Sequence, residues 1–160
     1  MAQQVKAIPD GYHTITPGLT VRDGAKAIEF YKRAFGAQQV FRMDRPDGGL
    51  MHAELQIGNS RIMLGEEYPQ MGCQSPESLK GTPVSFYLYV ADADAAFAQA
   101  IAAGAKAVKP VSDMFWGDRQ GEVSDPFGHR WSVATHKEDL TPEQIEQRSQ
   151  EFFASLPQHK

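Results

Sequence analysis

The sequence predicts an α+β protein built from two tandem β-α-β-β-β modules and a C-terminal helix. Three observations predict this fold class. Residues 19–37 and residues 88–105 share one order of residue types, with an apolar strand, an Asp, a helical pattern and a Gly. Residues 52–64 and 120–133 continue the repeat. In the strand segments apolar and polar residues alternate, which is typical of half-buried, mostly antiparallel strands.

Module one, about residues 12–67, opens with an apolar strand. Asp23 follows it and is a good N-cap, because its carboxylate can accept hydrogen bonds from the free N–H groups of a first helical turn. The next residues are apolar at spacings of three and four, which predicts a helix that ends at Gly36. Polar turns at residues 46–49 and 58–59 then separate three more strands.

Module two, about residues 82–136, repeats this order. Asp92 takes the place of the first N-cap, Gly104 marks the predicted helix end, and residues 125–128 form the last predicted turn. Because every element of module one has a counterpart, both modules are expected to fold alike.

The final predicted element is a helix over about residues 142–155. Thr141 is its predicted N-cap, Pro142 suits the first helical position, and Gln144 completes a capping box. The thin apolar stripe of this helix is expected to pack on its own domain or on a partner subunit. Residues 1–160 are taken as a single domain.

Composition excludes several classes of protein. The net charge of −4 argues against a protein that coats nucleic-acid phosphates, whose affinity comes from clustered Lys and Arg. No apolar run approaches the roughly 18 residues needed to cross a membrane. The N-terminal residues lack the basic-then-apolar order of a signal peptide, so we expect a cytoplasmic protein.

Several segments of the chain resemble the vicinal-oxygen-chelate superfamily, which includes glyoxalase I, bleomycin-resistance proteins and extradiol dioxygenases. These segments are TPGLTVRDGAKAIEFYKRAFGA, HAELQIG and, most specifically, residues 114–145, which look like the PhnB-like branch. The resemblance implies that each module curls into half of a cup that encloses a ligand cavity. It also implies that homodimers are common.

In metal-dependent members of this superfamily, four positions facing the cup carry His, Gln or Glu ligands. Carried over one at a time, these positions fall on Thr16, Met63, Ser85 and Ser132. Neutral hydroxyls and a thioether are poor ligands for the divalent ions that these enzymes use. We therefore expect no metal cofactor, and neither metal-dependent isomerisation nor dioxygenase chemistry is the expected activity.

Hairpin pairing predicts which other side chains face the cup. A two-residue turn at residues 58–59 pairs Glu54 with Met63, and a three-residue loop pairs Glu122 with Ser132. Cross-strand partners share a face, and alternation adds His52. Burial would raise the pKa of a Glu toward neutrality, so this set could act in acid–base catalysis, bind an unusual metal ion, or only hold the cup open.

An aromatic cluster with an adjacent arginine is the second candidate binding feature. Phe115, Trp116 and Arg119 could form a stacking surface for a flat or cationic ligand, or pack as ordinary core and loop residues. Asp118 would then orient the ligand with Arg119, or form a salt bridge with it. Tyr87 is also expected to line the cavity.

Three classes of function remain open from the sequence. The favoured one is a dimeric protein that binds a small, partly aromatic molecule without a metal. The second is a lyase, isomerase or other small-metabolite enzyme that uses Glu54, Glu122 or His52. The third is a structural protein that binds a partner.

Overall fold

A computed structural model describes residues 5–157 and confirms the predicted α+β fold of two tandem β-α-β-β-β modules with a C-terminal helix. The ends of the predicted single domain, residues 1–4 and 158–160, lie outside the described residues.

Module one contains one helix and a four-stranded sheet with the order β1-β4-β3-β2. β1 is parallel to β4, and the other two pairs are antiparallel. The elements are β1 Gly18–Val21, α1 Gly24–Phe35, β2 Gln38–Asp44, β3 Leu50–Ile57 and β4 Ser60–Glu66.

Module two has the same architecture, with the strand order β5-β8-β7-β6 and a parallel pair formed by β5 and β8. Its elements are β5 Ser85–Tyr89, α3 Ala93–Ala103, β6 Lys106–Asp113, β7 Asp118–Ser124 and β8 Arg130–His136. The connection between the modules contains a 3-10 turn at Pro69–Met71 and a short helix, α2, at Pro76–Leu79. The chain ends in helix α4, Pro142–Ser155.

The helix ends follow the local chemistry that the sequence predicts. Asp23 and Asp92 accept hydrogen bonds from backbone N–H groups three residues later, at 3.0 Å in both modules. Gly36 and Gly104 end α1 and α3 in the left-handed conformation. Thr141 caps α4 with the predicted capping box. Across residues 5–157, no helix is both long and apolar enough to span a membrane.

Each module buries one face of its sheet against a helix. In module one, Ala53, Leu55 and Leu64 are buried among the core residues contributed by α1. The alternate side chains of the strands point away from the helix because successive strand residues face opposite sides. We call this second face of each sheet, turned away from α1 or α3, its open face.

The modules are joined through their helices and a shared group of aromatic rings. Helices α1 and α3 pack against each other. Tyr31 and Phe35 of α1 contact Trp131 of β8, with ring centroids 5.6 and 4.7 Å apart. Phe86 of β5 contacts the same Trp131 ring at 4.7 Å. Aromatic contacts of this kind add to the free energy of burial.

One buried carboxylate lies at the centre of this junction. Asp125, in the turn between β7 and β8, accepts hydrogen bonds from the Tyr31 hydroxyl at 2.7 Å and from the Trp131 indole N–H at 3.0 Å. It also accepts from the backbone N–H groups of Phe127 and His129, both at 2.9 Å. The carboxylate therefore shapes the turn of module two and holds it to the helix of module one.

Replacing Asp125 by Ala should lower the free energy of unfolding by at least about 3 kcal/mol, because several buried donors lose their acceptor. Tyr31→Phe removes one of these donors and should cost about 1–2 kcal/mol. Chemical denaturation measures both variants, and Tyr31→Phe keeps the test informative if the Ala variant does not fold. If Asp125→Ala lowers the free energy of unfolding by no more than Tyr31→Phe does, the central role given to the Asp125 carboxylate is wrong.

Candidate functional site

The two hairpins that carry the predicted site residues have the predicted pairing. Glu54 pairs with Met63 across β3 and β4, and Glu122 pairs with Ser132 across β7 and β8. Each Glu therefore lies on the open face of its own sheet. The predicted register is confirmed in both modules, whereas a one-residue slip would have turned these side chains to the helix side.

The four positions that the resemblance assigns to metal ligands are structurally equivalent. Met63 pairs with the residue two positions after Thr16. Ser132 pairs with Tyr87, which lies two positions after Ser85. The same geometry therefore recurs in both modules, with three hydroxyls and one thioether at these positions.

In module one, Glu54 belongs to a half-buried ionic cluster on the open face. The imidazole Nε2 of His52 lies 3.4 Å from its carboxylate, and Nη1 of Arg61 lies 3.6 Å away. The guanidinium of Arg61 in turn stacks on the ring of Tyr12, 4.4 Å from its centroid. The Tyr12 hydroxyl holds the pKa of Glu54 below its ordinary value, against the opposing effect of burial. The expected net rise of the Glu54 pKa toward neutrality is therefore wrong, because hydrogen bonds outweigh burial.

The N-terminal segment before β1 covers part of this open face and forms one wall of an open cavity of about 510 Å³. Tyr12 and Thr16 line the cavity from this segment, and Glu54 and Met63 line it from the sheet. Two predicted ligand-contacting residues, Thr16 and Met63, thus share a cavity with a predicted catalytic residue.

In module two, Glu122 is almost fully buried, with 7% of its surface exposed. Its carboxylate forms ion pairs with the guanidinium of Arg130 and, at 3.2 Å, with Nζ of Lys109. These groups line a cavity of about 360 Å³ together with Ser85 and Ser132. Two more predicted ligand-contacting residues are therefore brought together here.

The structure does not gather the three predicted catalytic residues. His52 and Glu54 are in contact, but Glu54 and Glu122 line separate cavities and have different ionic partners. Across residues 5–157, no three His, Cys, Asp or Glu side chains are grouped closely enough to hold a metal ion. The unusual metal site considered for His52, Glu54 and Glu122 is therefore not assembled within the described part of the chain.

Asp118 organises a third cluster, although the sequence predicted for it only a role beside Arg119. Asp118, 4% exposed, accepts hydrogen bonds from the hydroxyls of Tyr87 and Tyr89, at 2.8 and 3.0 Å. It also accepts one from the indole N–H of Trp116 at 3.2 Å, and its second oxygen lies 2.9 Å from Nδ1 of His136. Strand alternation places Asp118 on the face of Glu122, but its partners could not be identified from local spacing.

These hydrogen bonds change the acidity of the cluster. The contacts from His136, Tyr87 and Tyr89 outweigh burial and lower the pKa of Asp118. Burial, with the Asp118 carboxylate, raises the pKa of Tyr87 to about 12. At neutral pH the cluster therefore consists of an ionised carboxylate that accepts hydrogen bonds from neutral phenols.

Arg119 does not join this cluster. It points to the helix side of the sheet, where its guanidinium binds Asp94 of α3 at 2.6 and 2.8 Å and Asp113 at 3.1 Å. The predicted grouping of Arg119 with Phe115 and Trp116 is therefore not formed, and neither is a pair with Asp118. Alternation along β7 explains the difference, because adjacent residues of a strand face opposite sides.

Phe115 and Trp116 also have different neighbours. Their rings contact each other edge to face, with centroids 4.9 Å apart. Trp116 bonds Asp118, whereas Phe115 lies against Phe152 and Phe153 of α4, at 5.6 and 6.4 Å. Phe115 therefore contacts the C-terminal helix of its own chain, although Phe152 and Phe153 remain 45% and 62% exposed.

A further cavity of about 390 Å³ lies between the modules, along the free edge of β5. Thr16 lines it from module one, and Tyr87 and Tyr89 line it from module two. A larger, shallow groove of about 640 Å³ runs beside α1 on the helix side of the protein. None of the predicted site residues lines that groove.

Comparisons with known proteins give one consistent result. The family model of the Glyoxalase/Bleomycin resistance protein/Dioxygenase superfamily matches residues 12–133. The uncharacterized protein Rv0887c of Mycobacterium tuberculosis is 44% identical over 82% of this chain and 79% of its own. The X-ray structure of the Arabidopsis thaliana At5g48480 product superposes with a TM-score of 0.63 and 29% identity, over 77% of this chain and 98% of that one. The PhnB protein from Bacillus cereus shares the fold, with a TM-score of 0.60 and 18% identity over 77% of this chain and 99% of that one.

Two neighbouring carboxylates should shift the titration of His136 to higher pH. Asp139 first, and then Asp118, raise the pKa of His136 above 6.5. Because the protonated ring is favoured in the folded state, its contribution to stability is fully present below pH 6.5. This contribution is lost as the pH rises through the higher folded-state pKa.

Proton NMR of the imidazole should show this raised pKa, and Asp139→Asn should lower it. Asp10→Asn, which removes a surface carboxylate paired with Lys6, is the matched control and should leave the titration unchanged. Equal titration curves for the wild type and Asp139→Asn would contradict the assignment.

Proposed function

Because the chain belongs to the Glyoxalase/Bleomycin resistance protein/Dioxygenase superfamily, we propose that it binds a small, partly aromatic molecule at the open faces of its sheets. Within this superfamily we place it in the PhnB-like branch, on the segment of residues 114–145. The protein is further proposed to act in the cytoplasm, without a nucleic-acid partner and without a bound divalent ion.

The chemistry of the four equivalent positions is the observation that supports metal-free binding. Thr16, Met63, Ser85 and Ser132 occupy the same places in the pairing of both modules. Three hydroxyls and a thioether offer weak donors to Zn²⁺ or Ni²⁺, which prefer imidazole, thiolate and carboxylate. Hydroxyls do suit direct hydrogen bonding to a polar ligand. A ligand at these positions would be held by the protein's own donors.

The aromatic part of the proposal is supported by the residues around Asp118. The rings of Tyr87 and Tyr89 lie 5.0 Å apart, and 44% and 61% of these residues are exposed. Their hydroxyls are fixed on Asp118, so the rings are held in place while much of their surface stays accessible. Rigid, accessible aromatic rings give contact area to a flat ligand at a low cost in side-chain entropy.

The alternative is an acid–base enzyme of the lyase or isomerase type, and the contact between His52 and Glu54 is the observation that favours it. The lowered pKa of Glu54 weighs against it. A carboxyl group that stays ionised at neutral pH is a poor general acid and a weak general base. We therefore place binding ahead of catalysis.

A homodimer is the proposed assembly. Phe41 and Met43, which share one face of β2, each expose nearly half of their surface. Neighbouring exposed apolar side chains often mark protein interfaces. Light scattering measures the assembly state directly.

Purified protein dialysed against Zn²⁺, Ni²⁺, Mn²⁺ and Fe²⁺ should retain less than about a tenth of an equivalent of metal, because the four positions lack strong donors. Elemental mass spectrometry measures the retained metal. The matched positive control is a variant that combines Thr16→His, Met63→Glu, Ser85→His and Ser132→Glu. A stoichiometric ion in the wild type would overturn metal-free binding.

A panel of small aromatic compounds should include at least one that raises the melting temperature, because a ligand that binds only the folded state stabilises it. Trp116→Ala should remove this shift, since its indole orders the carboxylate that fixes both tyrosine rings. Met71→Ala, at an exposed position outside the cavities described above, is the control. A shift that survives in Trp116→Ala would rule out the aromatic cluster as the binding surface.

A further inference from the structure

The cavity on the open face of module two is basic, although the chain as a whole is acidic. Lys109 and Arg130 line it with one carboxylate, that of Glu122. The remaining lining residues are uncharged, and they include Gln120 and the hydroxyl residues of the predicted site. Two cations against one anion leave the cavity with an excess of one positive charge. A cavity with this excess attracts anions.

Arg130 and Lys109 have N–H groups that their ion pairs with Glu122 do not use. Arg130 binds Glu122 through Nη2, and 42% of its side chain is exposed, so other N–H groups of its guanidinium can reach a ligand. Lys109 contacts Glu122 at 3.2 Å with a side chain that remains 65% exposed, so its ammonium can also reach a ligand.

Module one contains the same ion pair without the excess charge. Arg61 lies against Glu54 on the equivalent hairpin, but the ring of Tyr12 covers its guanidinium. The strand residue that pairs with Glu54 is Phe41, whereas Lys109 pairs with Glu122. The second cation is therefore specific to module two.

We propose that the module-two cavity binds the carboxylate group of the ligand, through Arg130 and Lys109, with hydroxyl groups of the same cavity as further donors. The single excess charge matches a monoanion better than a doubly charged phosphate. Tyr87 lies beside this cavity, since its hydroxyl oxygen is 3.1 Å from Oε1 of the lining residue Gln120. The ligand class is thus a small aromatic carboxylate. This inference rests on the proposed binding function and narrows it.

The test uses the full chain and four probes: benzoate, its uncharged analogue benzamide, phenyl phosphate and acetate. Titration calorimetry at constant ionic strength should show that benzoate binds at least about tenfold more tightly than benzamide, as expected for a charge-assisted contact. Arg130→Gln and Lys109→Gln should each weaken benzoate binding by a similar factor. Lys106→Gln removes the same charge from an exposed position on the same strand and should leave the affinity unchanged.

Arg130→Gln also leaves the buried Glu122 with one partner fewer, so weaker binding by this variant alone does not separate a lost contact from misfolding. Lys109→Gln changes an exposed side chain and keeps the experiment decisive. Equal binding of benzoate and benzamide, or no effect of Lys109→Gln, would overturn the carboxylate site. Tighter binding of phenyl phosphate than of benzoate would overturn it in favour of a phosphoryl group.

The two proposals fail in different ways. If neutral aromatic compounds stabilise the protein but benzoate binds no more tightly than benzamide, the anion site is wrong and the proposed binding function stands. If neither the aromatic panel nor any of the four probes binds, both proposals are wrong. Acetate binding with the same dependence on Lys109 would support the anion site independently of any aromatic contact.

Discussion

The arrangement of the two modules depends on the buried carboxylate of Asp125. It accepts hydrogen bonds from the tyrosine of α1, from the tryptophan of β8 and from two backbone N–H groups of its own turn. Desolvation of Tyr31, with the charge of Asp125, raises the pKa of that phenol well above its ordinary value, which keeps it a hydrogen-bond donor. Burial of apolar surface is non-directional, so the hydrogen bonds of this carboxylate help to fix how one module faces the other.

With the helix sides fixed in this way, the two open faces can differ in chemistry without a change of fold. Both keep a cross-strand pair of Glu and Arg at the same place in the pairing. Around that pair, module one has Phe41 and module two has Lys109. The two faces therefore share one frame but differ in charge, which would give a bound molecule a defined orientation.

The sequence was sufficient to predict features that depend on neighbouring residues. Helix caps at Asp23 and Asp92, and the pairing of Glu54 and Glu122, follow from turn chemistry and alternation within a few residues. Most partners of Asp118, namely His136, Tyr89 and Tyr87, lie on other elements 18 to 31 residues away, and Asp94 lies 25 residues from Arg119. Such contacts depend on how helices and strands pack, which local spacing does not specify.

In the proposed metal-free site, the charge of a ligand has to be balanced by the protein's own side chains. A divalent ion would balance a ligand's negative charge from the centre of the site. Hydroxyls and a thioether carry no charge, so that balance has to come from the surrounding side chains. In module one Arg61 is already covered by Tyr12 and paired with Glu54, whereas in module two the two cations exceed the one carboxylate. The charged group of the proposed ligand is therefore expected in the basic cavity of module two. Its ring is expected against Tyr87 and Tyr89, whose hydroxyls are fixed on Asp118.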